Sequence, residues 1–251
     1  MEQTLLDKSS SRIRAMFGAI APRYDFLNHL LSCQVDRYWR WKTTRLVPPQ
    51  GNAPILDVCT GTGDLALAYW RAGRKSVPVV GADFCGEMLN LARKKANRLR
   101  AQNLTFVLAD AQRLPFAADQ FQIVSIAFGL RNLTDFRRGL HEMVRVACPG
   151  GRVVILEFSR PSESFWGRLY QWYFQRLLPR IGQLVSGQRA YYYLPASVME
   201  FPDGEALAQE MRQVGLVSVW WRPFAFRIAT LYVGTKPTVT TAEAAHDELA
   251  A

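Results

Sequence analysis

The stretch Asp57-Val58-Cys59-Thr60-Gly61-Thr62-Gly63 is where residue types and spacing most directly imply chemistry. A carboxylate closes a short apolar run, and glycines follow at Gly61 and Gly63. Glycine lets the backbone turn sharply and approach a ligand closely. A helix opening at such a turn offers unpaired N–H groups to carboxylate or phosphate oxygens. A lone G-x-G is only a tight turn, so its context matters. Asp83 stands 20 residues beyond Gly63, at the end of the next apolar run. A carboxylate there can accept from the 2′- and 3′-hydroxyls of a ribose. Asp110, within Ala109-Asp110-Ala111, ends a third run and can accept from an adenine amino group. No second phosphate-binding loop follows. An adenosine-containing cofactor fits these carboxylates, either a dinucleotide or S-adenosylmethionine, whose amino group would suit Asp57.

The elements that must position these residues alternate. Ile55-Leu56-Asp57-Val58 reads as a buried strand and Asp64 to Gly73 as a helix. Val77 to Ala82 is a strand, Glu87 to Gln102 a helix, and Leu104 to Leu108 a strand. Phe121 to Ala127 is a fourth strand. A helix from Asp135 to Ala147 is stopped by Pro149-Gly150-Gly151, and Arg152 to Phe158 is a fifth strand. Asp203 to Val214 returns to helix, with closing strands at Val217 to Trp221 and Ile228 to Gly234. This rhythm predicts βαβ units and a parallel sheet.

Ahead of the sheet, Ile13, Met16, Phe17 and Ile20 recur at helical spacing until Pro22 ends the pattern, and a second helix spans Asp25 to Leu46. The predicted organisation is an N-terminal helical cap at 1–50, a cofactor-binding core at 51–160 and an aromatic helical insert at 161–200. The end of the core follows at 201–236, then a disordered tail at 237–251.

The chain has 251 residues, 49% hydrophobic and 21% charged, enough for a sizeable core. Its net charge of +10 suits an anionic partner, either nucleic acid or a membrane surface. Cys33, Cys59, Cys85 and Cys148 form no C-x-x-C pair and have no histidine at ligand spacing, so no metal site is expected. Their scatter suits small core residues in a reducing cytosol. There is no secretory h-region, and no run approaches the roughly 18 apolar residues of a membrane span. The expected location is cytoplasmic, at the inner face of the membrane.

Several segments together resemble one family. Met16-Phe17-Gly18-Ala19-Ile20-Ala21-Pro22-Arg23-Tyr24-Asp25-Phe26-Leu27-Asn28 is similar to the N-terminal signature of the ubiquinone/menaquinone-biosynthesis C-methyltransferases (the UbiE/MenG type). Phe128-Gly129-Leu130-Arg131-Asn132 resembles that family's stretch after the fourth strand. Arg145-Val146-Ala147-Cys148-Pro149-Gly150-Gly151 with Leu156-Glu157-Phe158-Ser159 resembles its second signature. Three positions depart from the pattern. Asp36 stands where the family commonly has His, Cys148 where it has Lys, and Ala127 where it often has Ser.

The resemblance implies a class I methyltransferase Rossmann-like α/β fold: a mostly parallel seven-stranded sheet with an antiparallel final strand and helical caps. It implies S-adenosylmethionine as cofactor, held by Asp57, Gly61, Thr62, Gly63, Asp83, Asp110, Ala111 and Ala127. The implied reaction methylates a ring carbon of a reduced polyprenyl quinone, demethylmenaquinol ahead of a methoxy-benzoquinol. The enzyme must hold carbon, methyl and sulfur nearly collinear and favour the deprotonated phenol. Arg131 would stabilise the phenolate and Asn132 would orient the ring oxygen or a water. Asp25 or Tyr24 would act on the quinol proton. Structural readings stand beside these: an ion pair for Arg131, helix capping for Asp25 and packing for Tyr24. His29 and His141 read as structural.

Asn28, Phe128, Tyr170, Tyr191 and Tyr193 would line the substrate path. The insert around Trp166, Tyr170 and Phe174, with interleaved arginines, suits peripheral membrane contact; a packed cap or a homodimer surface is the other role open to it. The rival of a different class is an RNA-binding protein or RNA methyltransferase. Its best feature, Arg93-Lys94-Lys95-Ala96-Asn97-Arg98, reads better as a solvated helix face, so no nucleic acid is expected.

Overall fold

The computed structural model describes residues 10–32, 34–160, 196–225 and 227–238. Helices α1 (Ser10–Leu31) and α2 (Val35–Leu46) precede strand β1 (Ile55–Val58). Then come α3 (Asp64–Ala72), β2 (Val79–Asp83), α4 (Gly86–Arg98), β3 (Leu104–Leu108) and β4 (Phe121–Ala127). A 3₁₀ turn (Leu130–Asn132) leads to α5 (Phe136–Val146) and β5 (Ala147–Phe158). The chain closes with α6 (Glu205–Gln213), β6 (Val217–Phe224) and β7 (Ala229–Thr235). The expected insert at 161–200 falls almost wholly outside the described residues, as does the tail.

The seven strands form one sheet in the order β3-β2-β1-β4-β5-β7-β6. All neighbours are parallel except β7, which runs antiparallel to both β5 and β6. This is the expected class I methyltransferase fold. Strand β1 is buried along its whole length, as a central parallel strand covered on both faces must be. Leu56, Val124 and Ile155 pack toward α5 and α6. Ile55, Ile123 and Val154 pack toward Trp39, Tyr69 and Trp70. Between β1 and β4 the strand order reverses, which opens a crevice at their C-terminal ends.

Two boundaries differ from expectation. Helix α1 runs through Pro22, and the break comes at Ser32 to Gln34 instead. A proline inside a helix costs about 3 kcal/mol. Against this, α1 lays Phe17, Ala21 and Tyr24 on Cys85 and Met88 of the α4 region and buries Ile13, and large apolar groups contribute roughly 1.5–3 kcal/mol each when fully buried. The second difference is at β5, which begins at Ala147 rather than after the glycines. Its register against β4 shifts between Phe121 and Ile123, so Cys148-Pro149-Gly150-Gly151 is a bulge within the strand, not a stop before it.

Candidate active site

Turn 59–63 leaves β1 with three residues in the left-handed region: Cys59 at φ 51°, Gly61 at φ 56° and Gly63 at φ 84°. The two glycines serve different purposes. A Cβ on Gly61 would meet nothing within 4 Å, so its φ requires glycine and the space before it is open. A Cβ on Gly63 would lie 3.2 Å from Phe106 and Ala92, so glycine there lets α3 pack closely on its neighbours.

The carboxylates lock this turn. Asp57 is 1% exposed and accepts from Thr60 Oγ1 at 2.6 Å and Ser125 Oγ at 2.8 Å. Burial pushes its pKa up to about 6, against the opposing pull of those hydroxyls and of Arg40. Asp83 accepts the Gly61 N–H on Oδ2 and the Cys85 N–H on Oδ1, both at 2.8 Å. Burial raises its pKa too, with these N–H groups working the other way. Asp110 is exposed and accepts the Gln112 N–H at 2.9 Å.

Asp83 and Asp110 line one cleft of about 700 Å³, with Ile13, Phe17 and Met88 on its apolar side and Ala111, Ala127 and Asn132 along the wall. Asp57, Thr60, Thr62 and Arg40 line an inner recess of about 360 Å³. Cys59, Gly61, Tyr24, Ala127 and Phe128 border both.

The site residues expected from the sequence do not all meet the cleft. Arg131 was expected beside the reacting carbon. Instead its guanidinium turns behind the wall, where Nη1 lies 2.6 Å from Glu157 Oε1 and 2.5 Å from the Phe128 carbonyl. Both partners of the ion pair are nearly fully buried, and the Phe158 ring lies 5.2 Å from Arg131 Cζ. A cation neutralised there cannot also face a phenolate in the cleft. Asn132 does line the cleft. Its Nδ2 donates to the Phe128 carbonyl at 3.2 Å, and its buried Oδ1 has no partner among the described residues. Phe128 itself sits at φ 57°, a strained conformation for an aromatic residue, and packs 4.4 Å from the Phe158 ring.

Asp25, expected either to act on the quinol proton or to cap a helix, lies within α1 and caps no helix, and both its oxygens have partners. Oδ1 accepts from Thr62 Oγ1 at 2.5 Å and Oδ2 lies 2.6 Å from Lys95 Nζ. Lys95 also reaches Asp64 at 2.6 Å and Thr62 Oγ1 at 2.9 Å. One ammonium therefore ties α1, the glycine turn, α3 and α4 together. Tyr24 lines the cleft with its ring edge-on to Phe17. Asn28 lies in α1, but its side chain is outside the described residues, as are Tyr170, Tyr191 and Tyr193.

The sequence reading missed Arg40 and Lys95. Lys95 was hidden in a basic run that reads as solvated. Arg40 has a signal in hindsight, the i, i+4 spacing from Asp36, which stands where the family commonly has His. Ser32 Oγ donates to Asp36 Oδ1 at 2.7 Å, and Arg40 Nη1 donates to Oδ2 at 2.6 Å. Burial works against the Arg40 charge, but Asp64 and Asp36 more than offset it and its pKa is raised.

These donors fit S-adenosylmethionine. Asp83 offers remaining lone pairs to a ribose, the Phe17 and Met88 side receives a flat base, and Asp57 and Arg40 present opposite charges to a zwitterion. Comparison with known proteins points the same way. Residues 5–236 match the model of the ubiE/COQ5 methyltransferase family. The ubiquinone/menaquinone biosynthesis C-methyltransferase UbiE of Geobacter sulfurreducens is 47% identical, covering 92% of this chain and 91% of its own. The demethylmenaquinone methyltransferase of Deinococcus radiodurans is 46% identical, covering 89% and 92%. Among solved structures, an S-adenosylmethionine-dependent methyltransferase of Thermotoga maritima, titled a possible histamine N-methyltransferase, superposes with a TM-score of 0.64. It is 18% identical, covers 88% of this chain and 99% of its own, and supports the fold alone.

Proposed function

Because the chain belongs to the ubiE/COQ5 methyltransferase family and is an S-adenosylmethionine-dependent C-methyltransferase of quinone biosynthesis, we propose that its substrate is demethylmenaquinol. Two relatives that carry the demethylmenaquinone methyltransferase name, from Deinococcus radiodurans and Thermus thermophilus, are each 46% identical to it. The carrying observation within the site is Asn132 Oδ1, a buried acceptor with no partner among the described residues, on the wall of the cleft. A buried acceptor left unpaired costs about 1–3 kcal/mol. A turn of the Asn132 amide toward the cleft would let a quinol hydroxyl satisfy it and be held in one orientation.

When bound, S-adenosylmethionine supplies an electrophilic methyl group on sulfur. This chain's residues do the rest by holding and orienting. Asp57 would hold the ammonium and Arg40 the carboxylate of the amino-acid end, and Asp83 would hold the ribose hydroxyls. Ala127 and Phe128 bring the β4 edge against both ligands. Asn132 Oδ1 would accept a hydrogen bond from the quinol hydroxyl, which keeps its proton there, and so would orient the neighbouring ring carbon. Arg131, through Glu157 and the Phe128 carbonyl, is a positioning residue for that turn. The α1 cap, pinned by Lys95, excludes water from the reacting atoms, which strengthens each polar contact. The lipid tail of such a substrate calls for peripheral contact with a membrane.

An assay with labelled cofactor against reduced demethylmenaquinone and the methoxy-benzoquinol, with the methylated position determined, tests this. Ring-carbon methylation of the naphthoquinol at the higher kcat/KM is expected. Preference for the benzoquinol would move the substrate to the ubiquinone branch, and methylation on oxygen would overturn the orientation given to Asn132.

A further inference from the structure

Outside the cleft, a groove runs where α2 meets the C-terminal ends of α3 and α4. Seven cationic side chains line it against two carboxylates, Asp25 and Asp64. Lys95 holds both carboxylates, and Arg40 is held by Asp36. That leaves Arg37, Arg45, Arg71, Arg74 and Arg98, all exposed and none with an ion pair among the described residues.

Aromatic rings stand among these charges. Trp41 is 54% exposed and Tyr38 47%, with ring centroids 5.8 Å apart. Arg45 lies 5.7 Å over Trp41 and Lys42 5.4 Å over Tyr38. On α2, Arg37, Trp41 and Arg45 recur every fourth residue and so share one face. Exposed Trp and Tyr beside arginines on one helix face is the composition that settles at a headgroup layer. None of the described helices is long and apolar enough to cross a membrane, so contact through them would lie on the surface.

We propose that this groove face docks the protein on a bilayer bearing anionic lipid. Two observations choose the occupant: the unneutralised positive charge complements acidic headgroups, and the groove is continuous with the inner recess through Arg40 and Asp64, which line both. A lipid-tailed quinol would then leave the bilayer beside the cofactor. The purpose of docking rests on the quinol reading, but the surface itself does not.

Sedimentation of the full-length protein with phosphatidylcholine vesicles, with and without phosphatidylglycerol, tests the proposal. Binding is expected only with the anionic lipid. Each cation at such a surface contributes about fivefold, so the triple variant R71E/R74E/R98E should partition at least roughly 100-fold more weakly. Tyr38→Ala with Trp41→Ala should weaken binding severalfold, and Trp41→Phe should lose part of the tryptophan quenching by brominated lipid. All variants should methylate a short-chain water-soluble quinol at the wild-type rate. Equal vesicle binding by wild type, the triple variant and the Tyr38/Trp41 double variant, equal binding to neutral vesicles, or tighter and salt-sensitive binding of RNA over vesicles would overturn the proposal. Vesicle binding that holds while no quinol is methylated would instead sink the quinol reading and leave the docking face standing.

Discussion

The turns that leave β1 and β4 lie side by side at the same end of the sheet, yet they settle their polar groups differently. In the 57–63 turn the buried carboxylate of Asp57 is held by two hydroxyls, and Asp83, one strand over, is held by two backbone N–H groups. In the 127–132 turn an aromatic residue sits in the left-handed region, and two buried polar atoms, Arg131 Nε and Asn132 Oδ1, have no partner among the described residues. The first turn is a finished receptor for a ligand that is the same in every turnover. The second carries a strained aromatic residue and, at Asn132 on the cleft, an open acceptor, which suits a group completed only when the substrate arrives; Arg131 lies behind the wall. The contrast predicts that damage to the first wall is read in cofactor affinity, and damage to the second in stability or turnover.

The largest expected effect is on the second wall. Glu157→Ala strands the Arg131 charge in a site where both partners are nearly fully buried. Removing one partner of a buried pair typically costs about 3–5 kcal/mol. Denaturant unfolding should show that loss, while cofactor affinity of the folded enzyme stays within a few-fold. A loss below about 1 kcal/mol would mean that the pair does not hold this turn.

The next effect belongs to the first wall and depends on pH. Asp57 has its pKa raised to about 6 from 3.8 by burial. In the free protein the folded state then binds more protons than the unfolded one between those values. Stability contributed by this group is present below about pH 3.8 and is lost as pH rises through 6, on the order of 3 kcal/mol in all. Cofactor binding has the opposite sign, because the ammonium needs the ionised carboxylate. Its affinity should fall about tenfold for each pH unit below 6. Asp57→Asn should make both profiles flat over this range, raising apo stability at pH 7 and weakening the cofactor. A cofactor Kd that is unchanged from pH 5 to 7 in the wild type would remove Asp57 from that role.

The same contrast explains what was legible in the sequence. Asp57, Gly61, Gly63, Asp83 and Asp110 lie at strand ends, so local pattern alone places them, and the alternation of apolar runs gives the sheet. Asn132 was singled out by resemblance, and the structure puts it on the cleft wall. Of the two roles open to Arg131, the structure shows the ion pair; the motif could not decide between them, because a motif names a residue without saying which way its side chain points, and that depends on a strand carboxylate 26 positions away. Asp25 and Lys95 stand 70 positions apart in the chain, and their meeting depends on how α1 crosses α4. Pro22 misled for the related reason that tertiary burial outweighed a local rule.

Asn132 tests the second wall through chemistry. Asn132→Ala removes the unpaired acceptor, so kcat with the quinol should fall roughly 100-fold, the loss typical of one orienting group, with cofactor Kd unchanged. Equal losses in kcat and cofactor affinity would erase the division between the walls.

The smallest expected effect sits where the α1 cap meets the first wall. Lys95 bridges Asp25 on α1 to Asp64 on α3, and both carboxylates and the ammonium are partly exposed, at 23–30%. Solvent therefore screens the pair, and each such bridge contributes at most about 1 kcal/mol. Lys95→Met would leave two carboxylates facing one neutral side chain, so α1 should open more often. Cofactor release measured by stopped flow should quicken about threefold to fivefold, within the range that such a loss supports. High salt should speed release from the wild type and leave the variant unchanged, because only the wild type has an ion pair to screen. Release that is insensitive to both salt and substitution would mean that the cap is held by the Ile13 and Ala21 packing alone, and that Lys95 belongs to the first wall only.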